Sequence, residues 1–294
     1  MEQKTIYALG FFDGVHLGHQ ALLRSCVALA GQENATPAAI TFSRHPRSFF
    51  TPTPPLLINS AADRCRLLTA FGMHQVVELP VDAETMNMPW ERFFETLRNK
   101  NAAGFVCGED YRFGCHAEGD AQKLKAACDA VGLPCVIVAQ QELDGIRISS
   151  THIRTLLEQG EMEQAVRFLG HPYILTGEVV PGRQLGRTIG IPTANIALAA
   201  DLAVPKHGVY ACKCTIDGSE YVAVTNIGSR PTVQGHQVRV ESWILNFKGD
   251  LYGRELSLEF YKFLRPEKRF DSLEQMRIQI NQDAWYAWET FHGR

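Results

Sequence analysis

The sequence has no feature typical of a membrane-spanning, secreted or nucleic-acid-binding protein. No apolar run approaches the length that crosses a bilayer, and residues 1–10 lack the basic start and apolar run of a signal peptide. The net charge of −3 argues against a general nucleic-acid binder, which is usually basic. We therefore expect a cytoplasmic protein, a monomer or weak homo-oligomer, whose partners are small molecules rather than nucleic acid or a membrane.

The eight cysteines include no C-x-x-C pair, which removes the simplest thiol motifs for metal binding or redox chemistry. Several lie in apolar runs, such as 105–107 and 135–138, so we predict buried, reduced thiols. Cys115 and His116 are adjacent and could both bind a soft metal, but two ligands do not make a site. No structural metal is predicted.

A Walker motif is also missing from the sequence, so a P-loop enzyme is not expected.

At 294 residues the chain is long enough for two domains with separate cores. Its first half alternates short apolar runs with helical patterns, which predicts βαβ units and a parallel, Rossmann-like sheet. Ligands of such sheets bind at the carboxyl ends of the strands. The predicted strands are 5–9, 38–42, 75–79, 105–107 and 135–139, and the predicted helices are 20–30, 60–71, 89–100 and 120–130.

Beyond residue 150 the pattern changes. Two helices, one opened by 149–151 and one over 161–169, lead to a series of strands separated by turn signals such as Asp217-Gly218. This spacing predicts an antiparallel β-barrel, followed by a long amphipathic helix over 271–291. We expect the boundary near residues 160–172, with 1–165 and 166–294 as the two domains. The predicted barrel strands are 173–180, 208–216, 221–227, 237–247 and 255–260.

A strand, a glycine-rich turn and two histidines open the first half. The glycines of 10–18 permit close approach of the backbone, and the helix that follows supplies unpaired N–H groups and a partial positive charge. His16 and His19, three residues apart on the first helical turn, can donate hydrogen bonds to a phosphate. The spacing alone also occurs on ordinary protein surfaces, so an incidental histidine pair stays open as an alternative.

Three further polar segments follow predicted strands or open a helix. Residues 41–47 place cations after the second strand, 108–114 form a polar turn with aromatic side chains, and 147–154 offer hydroxyls and guanidiniums. The hydroxyls of 149–151 could simply cap the helix that they open. Arginines on both sides of them favour anion binding as well.

These segments resemble the nucleotidylyltransferase module of the prokaryotic bifunctional riboflavin kinase/FAD synthetase family. The resemblance rests on Gly-Phe-Phe-Asp-Gly-Val-His-Leu-Gly-His at 10–19, Gly-Glu-Asp-Tyr-Arg-Phe-Gly at 108–114 and Ser-Ser-Thr-His-Ile-Arg at 149–154. It implies attack of the FMN phosphate on the α-phosphorus of ATP, with release of pyrophosphate. It also implies ATP contacts for Gly10, Phe11, Asp13, Gly14, His16, Gly18, His19, Asp110, Arg147, Ser150, Thr151 and Arg154, and flavin contacts for His45, Pro46, Tyr111, Arg112 and Phe113.

A second glycine-rich segment, 182–195, lies past the midpoint and has glycine at every fourth position from 182 to 190. Glycines with basic residues after a strand favour backbone amides around a phosphate. The hydroxyl of Thr193 and the amide oxygen of Asn195 are hard ligands that suit a nucleotide-bound Mg²⁺. The predicted nucleotide-binding residues of this segment are Gly182, Arg183, Gly186, Gly190, Thr193 and Asn195.

Glu241 lies in a predicted strand, where Arg239, Trp243, Leu245 and Phe247 share its face because side chains alternate. If that face points into the barrel, Glu241 is a partly buried carboxylate suited to general-base catalysis. The alternative is a structural ion pair with Arg239 on an exposed face. The spacing leaves both open, and the ion pair is the simpler interpretation.

The second half resembles the riboflavin kinase module of the same family. The resemblance implies Glu241 as base on the ribityl 5′-hydroxyl, Thr193 and Asn195 at Mg-ATP, and Arg265 near the flavin ring. It implies a Rossmann-like nucleotidylyltransferase domain followed by a Greek-key type β-barrel, and FAD synthesis from riboflavin through FMN in two ATP-dependent steps. The matching segments are 179–182, 192–195, 208–210, 226–232, 240–241, 251–253 and 264–270, which with the first half cover nearly the whole chain.

Two other functions remain open. The first half could adenylylate poorly or accept another phosphorylated substrate, because family members often carry basic residues at Cys115-His116 and His152, and proline at Arg44. The chain could instead be a non-catalytic, flavin-sensing protein. The polar residues at both sites argue against a decayed enzyme, since decay should erase them first.

Overall fold

The computed structural model describes residues 4–182, 186, 190–232 and 235–293, without the side chains of 230–237. Arg183 therefore lies outside the described residues. Contacts divide the chain into two compact units, Met1–His152 and Ile153–Arg294, and each is described by itself.

The first unit is built on a five-stranded parallel sheet covered by helices. Its strands are β1 Thr5–Leu9, β2 Thr36–Phe42, β3 Gln75–Leu79, β4 Ala102–Gly108 and β7 Cys135–Val138. Its helices are α1 Leu17–Gln32, α2 Ala61–Ala70, α3 Ala83–Met86, α4 Trp90–Arg98 and α5 Ala121–Ala130. The strands lie in the order β3-β2-β1-β4-β7, and each neighbouring pair is parallel.

Burial and capping explain why these elements form where the sequence predicts them. Every residue of β1 is buried, as expected for a central strand of a parallel sheet. Ser60 Oγ accepts a hydrogen bond from the Asp63 N–H (3.0 Å) and starts α2, and Asp120 Oδ1 accepts from the Lys123 N–H (2.8 Å) and starts α5. The prediction of a Rossmann-like α/β domain is confirmed.

The order of the strands reverses at β1. The chain runs outward from β1 through β2 to β3 and then returns to β4, on the other side of β1. The carboxyl ends of β1 and β4 therefore border the topological switch point, where ligands of such sheets bind. The predicted site segments 10–19 and 108–114 begin at these two strand ends.

Two short strand pairs lie between the end of β4 and α6 (Ser150–Gln159), the helix that follows β7 in the chain. The first joins β5 (112–113) to β6 (119–120), and the second joins β8 (142–143) to β9 (146–147). Asp144 and Gly145, at φ 55° and 75°, form the tight turn of the second pair. This hairpin delivers residue 147 directly to the start of α6.

The second unit contains α7 (Met162–Leu169), a closed six-stranded barrel and a long terminal helix, α8 (Leu273–His292). The barrel strands are β10 Tyr173–Val180, β11 Ala194–Ala197, β12 Gly208–Ile216, β13 Ser219–Thr232, β14 Gly235–Ile244 and β15 Glu255–Arg265. They close in the order β10-β11-β14-β13-β12-β15, and all neighbours are antiparallel. The predicted barrel with a terminal helix is confirmed.

The two faces of the barrel strands have different partners. Inside, the hydroxyls of Thr225 and Ser242 lie 3.0 Å apart and are fully buried. Outside, Val224 and Trp243 belong to an apolar cluster with Ala287 of α8. The strands therefore alternate between the barrel interior and a surface that α8 covers.

β11 was not predicted, and β14 ends earlier than predicted. β11 is only four residues long, and its strand conformation depends on pairing with both β10 and β14. β14 ends at Ile244 rather than residue 247, because Asn246 has φ 62° and cannot continue an extended strand. Leu245 and Phe247 therefore lie outside the strand of Glu241.

Candidate active sites

A strained turn connects β1 to α1. Phe12 and Val15 have φ values of 59° and 39°, which side chains other than glycine rarely adopt, and Gly14 has φ 84°. Phe12 and Val15 are fully buried, so packing holds them in this conformation. Gly10 lies against the ring of Phe12, where a Cβ would come within 3.0 Å of ring carbon. The turn makes His16 the N-cap of α1.

His16 and His19 form a stacked pair at the start of α1. Their ring centroids lie 3.6 Å apart with an interplanar angle of 11°, and His16 Nδ1 accepts from the His19 backbone N–H (3.3 Å). Burial, with a smaller effect of His16, holds the pKa of His19 well below its ordinary value. The ring of His19 is therefore neutral at pH 7 and retains one N–H donor. Gly18 packs tightly beside this pair, since a Cβ at its position would lie 3.3 Å from the His16 ring.

Asp13 and Ser150 connect the turn after β1 to Ile58 and to the start of α6. Asp13 Oδ1 accepts from the Ile58 N–H (2.8 Å), and Ser150 Oγ donates to the Asp13 carbonyl (2.8 Å). Ser149 Oγ accepts from the His152 N–H (3.2 Å), so the predicted capping of this helix is confirmed. The fold thus brings the start of α6 to the turn that the sequence singles out.

Arg147 is held beside the turn that follows β4. Its Nη2 lies 2.7 Å from Asp110 Oδ2, and both side chains are more than half exposed. Thr151 is exposed in the first turn of α6. Arg154 follows Ser150 by four residues on the same helix, so the two lie on one side of α6.

Two aromatic contacts place the predicted flavin-binding residues near the strand ends. The ring of His45 packs edge-on against Phe11 with centroids 4.9 Å apart, and His45 caps a short 3-10 helix that begins at Pro46. Tyr111 stacks on Phe113 at 5.4 Å. The turn after β1 and the segment after β2 are therefore in direct contact.

Phe113 is a buried core residue. It is 6% exposed and contacts Trp90 and Phe93, so its ring is largely covered by protein. Arg112 is exposed, with Nη1 3.4 Å from Asp120 Oδ2. Flavin contacts for Phe113 and Arg112 stay predictions.

In the second unit, strand register places Glu241 between two amides. Glu241 of β14 lies opposite Asn195 of β11 on one side and Asn226 of β13 on the other. Residues directly opposite each other share a face of the sheet, so the three side chains form one polar row. Asn226 was not predicted as a site residue, because only the register shows that it lies next to Glu241.

Glu241 also pairs with Arg239, through Oε1 and Nη2. The Glu241 side chain is 23% exposed and lies on the face that carries Trp243, which is the face toward α8. The barrel interior is instead lined from β14 by Ser242 and its alternate neighbours. Glu241 therefore does not point into the barrel, and the ion pair considered as the alternative is present.

Two described glycines of the segment 182–195 lie near the predicted metal ligands. A Cβ at Gly182 would overlap the side-chain amide of Asn195, and one at Gly186 would overlap its surroundings and lie 3.6 Å from Thr193 Oγ1. Gly190 has φ 75°, a conformation that favours glycine. Gly182 therefore packs directly against the Asn195 side chain, and Gly186 packs against the Ile191 carbonyl.

A cleft of about 80 Å³ opens beside Thr193. It is lined by residues 192–194, by Ser242 and Ile244 of β14, and by residues 247 and 249–252. Of the predicted nucleotide residues, Thr193 lines this cleft.

Arg265 joins β15 to the terminal helix. Its Nε and Nη2 donate to the two carboxylate oxygens of Asp283 at 2.8 and 2.7 Å, and Nη1 donates to the Pro266 carbonyl at 3.0 Å. Asp283 is 2% exposed and Arg265 is 19% exposed. The guanidinium that the resemblance places near the flavin ring is therefore paired with α8, and its flavin contact stays a prediction.

Replacing Asp283 with alanine is expected to lower the free energy of unfolding of the second unit by about 3 kcal/mol, because it leaves the charge of Arg265 without its partner. Urea unfolding followed by tryptophan fluorescence measures this loss. The control is Glu274→Ala, which breaks an exposed pair with Arg277 on the same helix and should cost far less, because water screens that pair. Equal losses in both variants would contradict a special role for the buried pair.

Comparison with known proteins matches each unit to a different family model. A model described as FAD synthetase matches residues 1–152, and one described as riboflavin kinase matches residues 169–291. A solved structure described as a macrolide-efflux protein from Streptococcus pneumoniae has a TM-score of 0.88 to this chain at 31% identity, covering 98% of this chain and 94% of that one. None of the described helices is long and apolar enough to cross a membrane.

Curated relatives match both halves together. Three proteins named bifunctional riboflavin kinase/FMN adenylyltransferase illustrate this. The one from Pseudomonas fluorescens is 36% identical and the one from Listeria monocytogenes 33%, each over 95% of this chain and 90% of the relative. The one from Escherichia coli K12 is 34% identical over 99% of this chain and 94% of the relative. The chain belongs to the family of bifunctional riboflavin kinase/FMN adenylyltransferases.

Proposed function

We propose that the protein makes FAD from riboflavin in two ATP-dependent steps, phosphorylating riboflavin to FMN and then adenylylating FMN. The observation that carries this function is that one family model matches each of the two units. The site geometry supports it, since the first unit presents a histidine pair at a helix N-terminus and the second a carboxylate between two amides.

In the kinase step, Glu241 acts as the general base. It takes the proton of the ribityl 5′-hydroxyl while that oxygen bonds to the γ-phosphorus of ATP, and the bond to the bridging oxygen breaks to release ADP. The ion pair with Arg239 uses Oε1, which leaves Oε2 to accept the proton. The pair also holds the carboxylate in one orientation.

Thr193 and Asn195 would hold Mg²⁺ beside the phosphates of ATP, where the ion would supply positive charge against the transferred phosphoryl group. Both side chains offer the hard oxygen ligands that Mg²⁺ prefers. Gly182 supports this assignment, because a Cβ there would overlap the Asn195 side chain and displace its amide. With Gly186, Gly190 and Arg183, these residues make up the proposed nucleotide site.

In the adenylylation step, a phosphate oxygen of FMN bonds to the α-phosphorus of ATP and pyrophosphate leaves. No covalent nucleophile is required, so alignment and neutralisation of charge supply the catalysis. The N–H groups at the start of α1 and the rings of His16 and His19 donate to the phosphates. The other proposed ATP contacts are Gly10, Phe11, Asp13, Gly14, Gly18, Asp110, Arg147, Ser150, Thr151 and Arg154.

The flavin is proposed to lie beside aromatic and basic side chains in both sites. In the first unit, His45 and Tyr111 offer rings next to the strand ends. Pro46, Arg112 and Phe113 complete the proposed set there, and Arg265 is the proposed flavin neighbour in the second unit. We further propose domains of 1–165 and 166–294, and a cytoplasmic monomer or weak homo-oligomer that binds no nucleic acid.

Incubation of the purified protein with riboflavin and Mg-ATP, followed by chromatographic separation of the flavins, tests this function. FMN and then FAD are expected, with FAD lagging behind because FMN is its precursor. FMN alone would restrict the protein to kinase activity, and no product would leave only flavin binding. Supplying FMN in place of riboflavin measures the second step by itself.

A further inference from the structure

Arg64 of α2 is the only lysine or arginine that is fully buried among the residues whose side chains are described. The energetic cost of removing a guanidinium from water is several kcal/mol or more, and it is offset only by close charged and hydrogen-bonding partners. The contacts of Arg64 therefore show which part of the molecule it holds.

These contacts lie at the carboxyl ends of three strands. Nη2 donates to the carbonyl of Phe42, the last residue of β2, at 2.6 Å, and lies 3.5 Å from Glu78 Oε1 near the end of β3. The guanidinium carbon lies 4.6 Å from the ring centroid of Phe11, in the turn after β1. One side chain thus joins the glycine-rich turn to its two neighbouring strands.

Arg64 has fewer hydrogen bonds and a weaker ion pair than a buried arginine needs if its only role is to stabilise the fold. Its Nε and Nη1 are buried and make no hydrogen bond with the described residues, and its ion-pair partner Glu78 is exposed. Burial lowers the pKa of Arg64, and the carboxylates of Asp13 and Glu78 oppose that shift. Apolar side chains of similar volume often replace buried ion pairs without loss of stability.

The turn that Arg64 contacts needs external support. Phe12 and Val15 sit in the left-handed region, and such strain persists only where surrounding contacts hold it. Phe11 lies between these residues and β1, and its ring is covered by Arg64 on one side and His45 on another. Movement of Phe11 would displace His16 and His19, because the turn that contains Phe11 leads directly to them.

We infer that Arg64 is a positioning residue for adenylyl transfer, which fixes the turn 10–15 so that the histidines and the start of α1 meet the nucleotide phosphates in line. This inference rests on the proposed adenylyltransferase function of the first unit. Arg64 itself does not touch the substrate, since its side chain is wholly covered.

Arg64→Met tests the inference, because it keeps the volume and removes the charge, and the exposed Glu78 is then free to face water. We expect kcat for the conversion of FMN to FAD to fall about 100-fold, the effect of a misplacement of reacting groups by about 1 Å. The kinase rate of the same protein should be unchanged. Arg64→Lys, which restores the charge without the planar fork, should recover part of the loss.

Amide hydrogen exchange provides a second measurement that does not depend on activity. Exchange in 10–19 should be faster in Arg64→Met than in the wild type, and unchanged in Arg66→Met, a control on the same helix whose exposed arginine pairs with Asp63. Unchanged exchange in Arg64→Met would overturn the inference, as would a loss of FAD synthesis merely proportional to loss of folded protein. A wild type that makes no FAD would refute the proposed function instead, while the exchange result would still decide whether Arg64 holds the turn 10–15.

Discussion

Glu241→Gln is expected to slow phosphorylation of riboflavin about 1,000-fold and to leave the conversion of supplied FMN to FAD unchanged. A positioned general base contributes 10² to 10⁴ in rate, and glutamine cannot accept the proton of the ribityl hydroxyl. Glutamine keeps the size of the side chain and an oxygen that accepts from Arg239, so the polar row between Asn195 and Asn226 should survive. The loss should therefore appear in kcat rather than in folding.

The matched control is Glu220→Gln, which removes a carboxylate from the neighbouring strand β13. Glu220 is 63% exposed and pairs with Lys213, away from the Asn195–Glu241–Asn226 row. This variant should phosphorylate riboflavin at the wild-type rate. Near-normal kinase activity in Glu241→Gln would remove Glu241 as the base and leave its ion pair with Arg239 as a structural feature.

His19→Ala is expected to reduce FAD synthesis from FMN about 100-fold, with riboflavin phosphorylation unchanged. Removal of a single preorganised donor to developing negative charge typically costs 10² to 10³ in rate. His19 is suited to that role because its neutral ring keeps an N–H donor and because its stacking on His16 fixes the ring. The rates are measured separately, with FMN or riboflavin as the supplied flavin.

His74→Ala serves as the control in the same unit, since His74 is exposed and lies at the start of β3, away from the carboxyl ends of the strands. It should adenylylate FMN normally. An unchanged rate in His19→Ala would show that the histidine pair does not act on the phosphates, whatever the resemblance implies. Loss of kinase activity in the same variant would mean that the two sites are coupled.

Local patterns predicted most of the secondary structure correctly. The strands β1, β3, β10 and β12 match their predicted bounds residue for residue, because each is an apolar run bounded by turn residues. The helix predicted over 60–71 has Ser60 as its N-cap in the structure, and the one predicted over 120–130 has Asp120. Such features depend on residues that are close in sequence, so they can be read without the fold.

β11 shows where local patterns fail. Its four residues form a strand only because β10 and β14 lie on either side, and no short-range signal marks it. Yet β11 carries Asn195 and sets it opposite Glu241. The sequence suggested both residues, but their adjacency depends on register between strands that are far apart in the chain.

The direction in which the Glu241 side chain points is also decided by the tertiary structure. Alternation predicts that Arg239, Glu241 and Trp243 share a face, and this holds. Which face points inward depends on how the barrel closes and on where α8 packs, and the structure places Glu241 on the side of α8. Period-two alternation defines two faces but cannot assign them to interior and exterior.

The sequence by itself determined the family, and it predicted two domains and the residues of two candidate sites, because motifs at short spacing carry that information directly. The tertiary structure alone decided three things: the row formed by Asn195, Glu241 and Asn226, the pairing of Arg265 with Asp283, and the burial of Arg64 against Phe11. Each joins residues distant in sequence. Such contacts depend on strand order, register and helix packing, which short-range patterns do not encode.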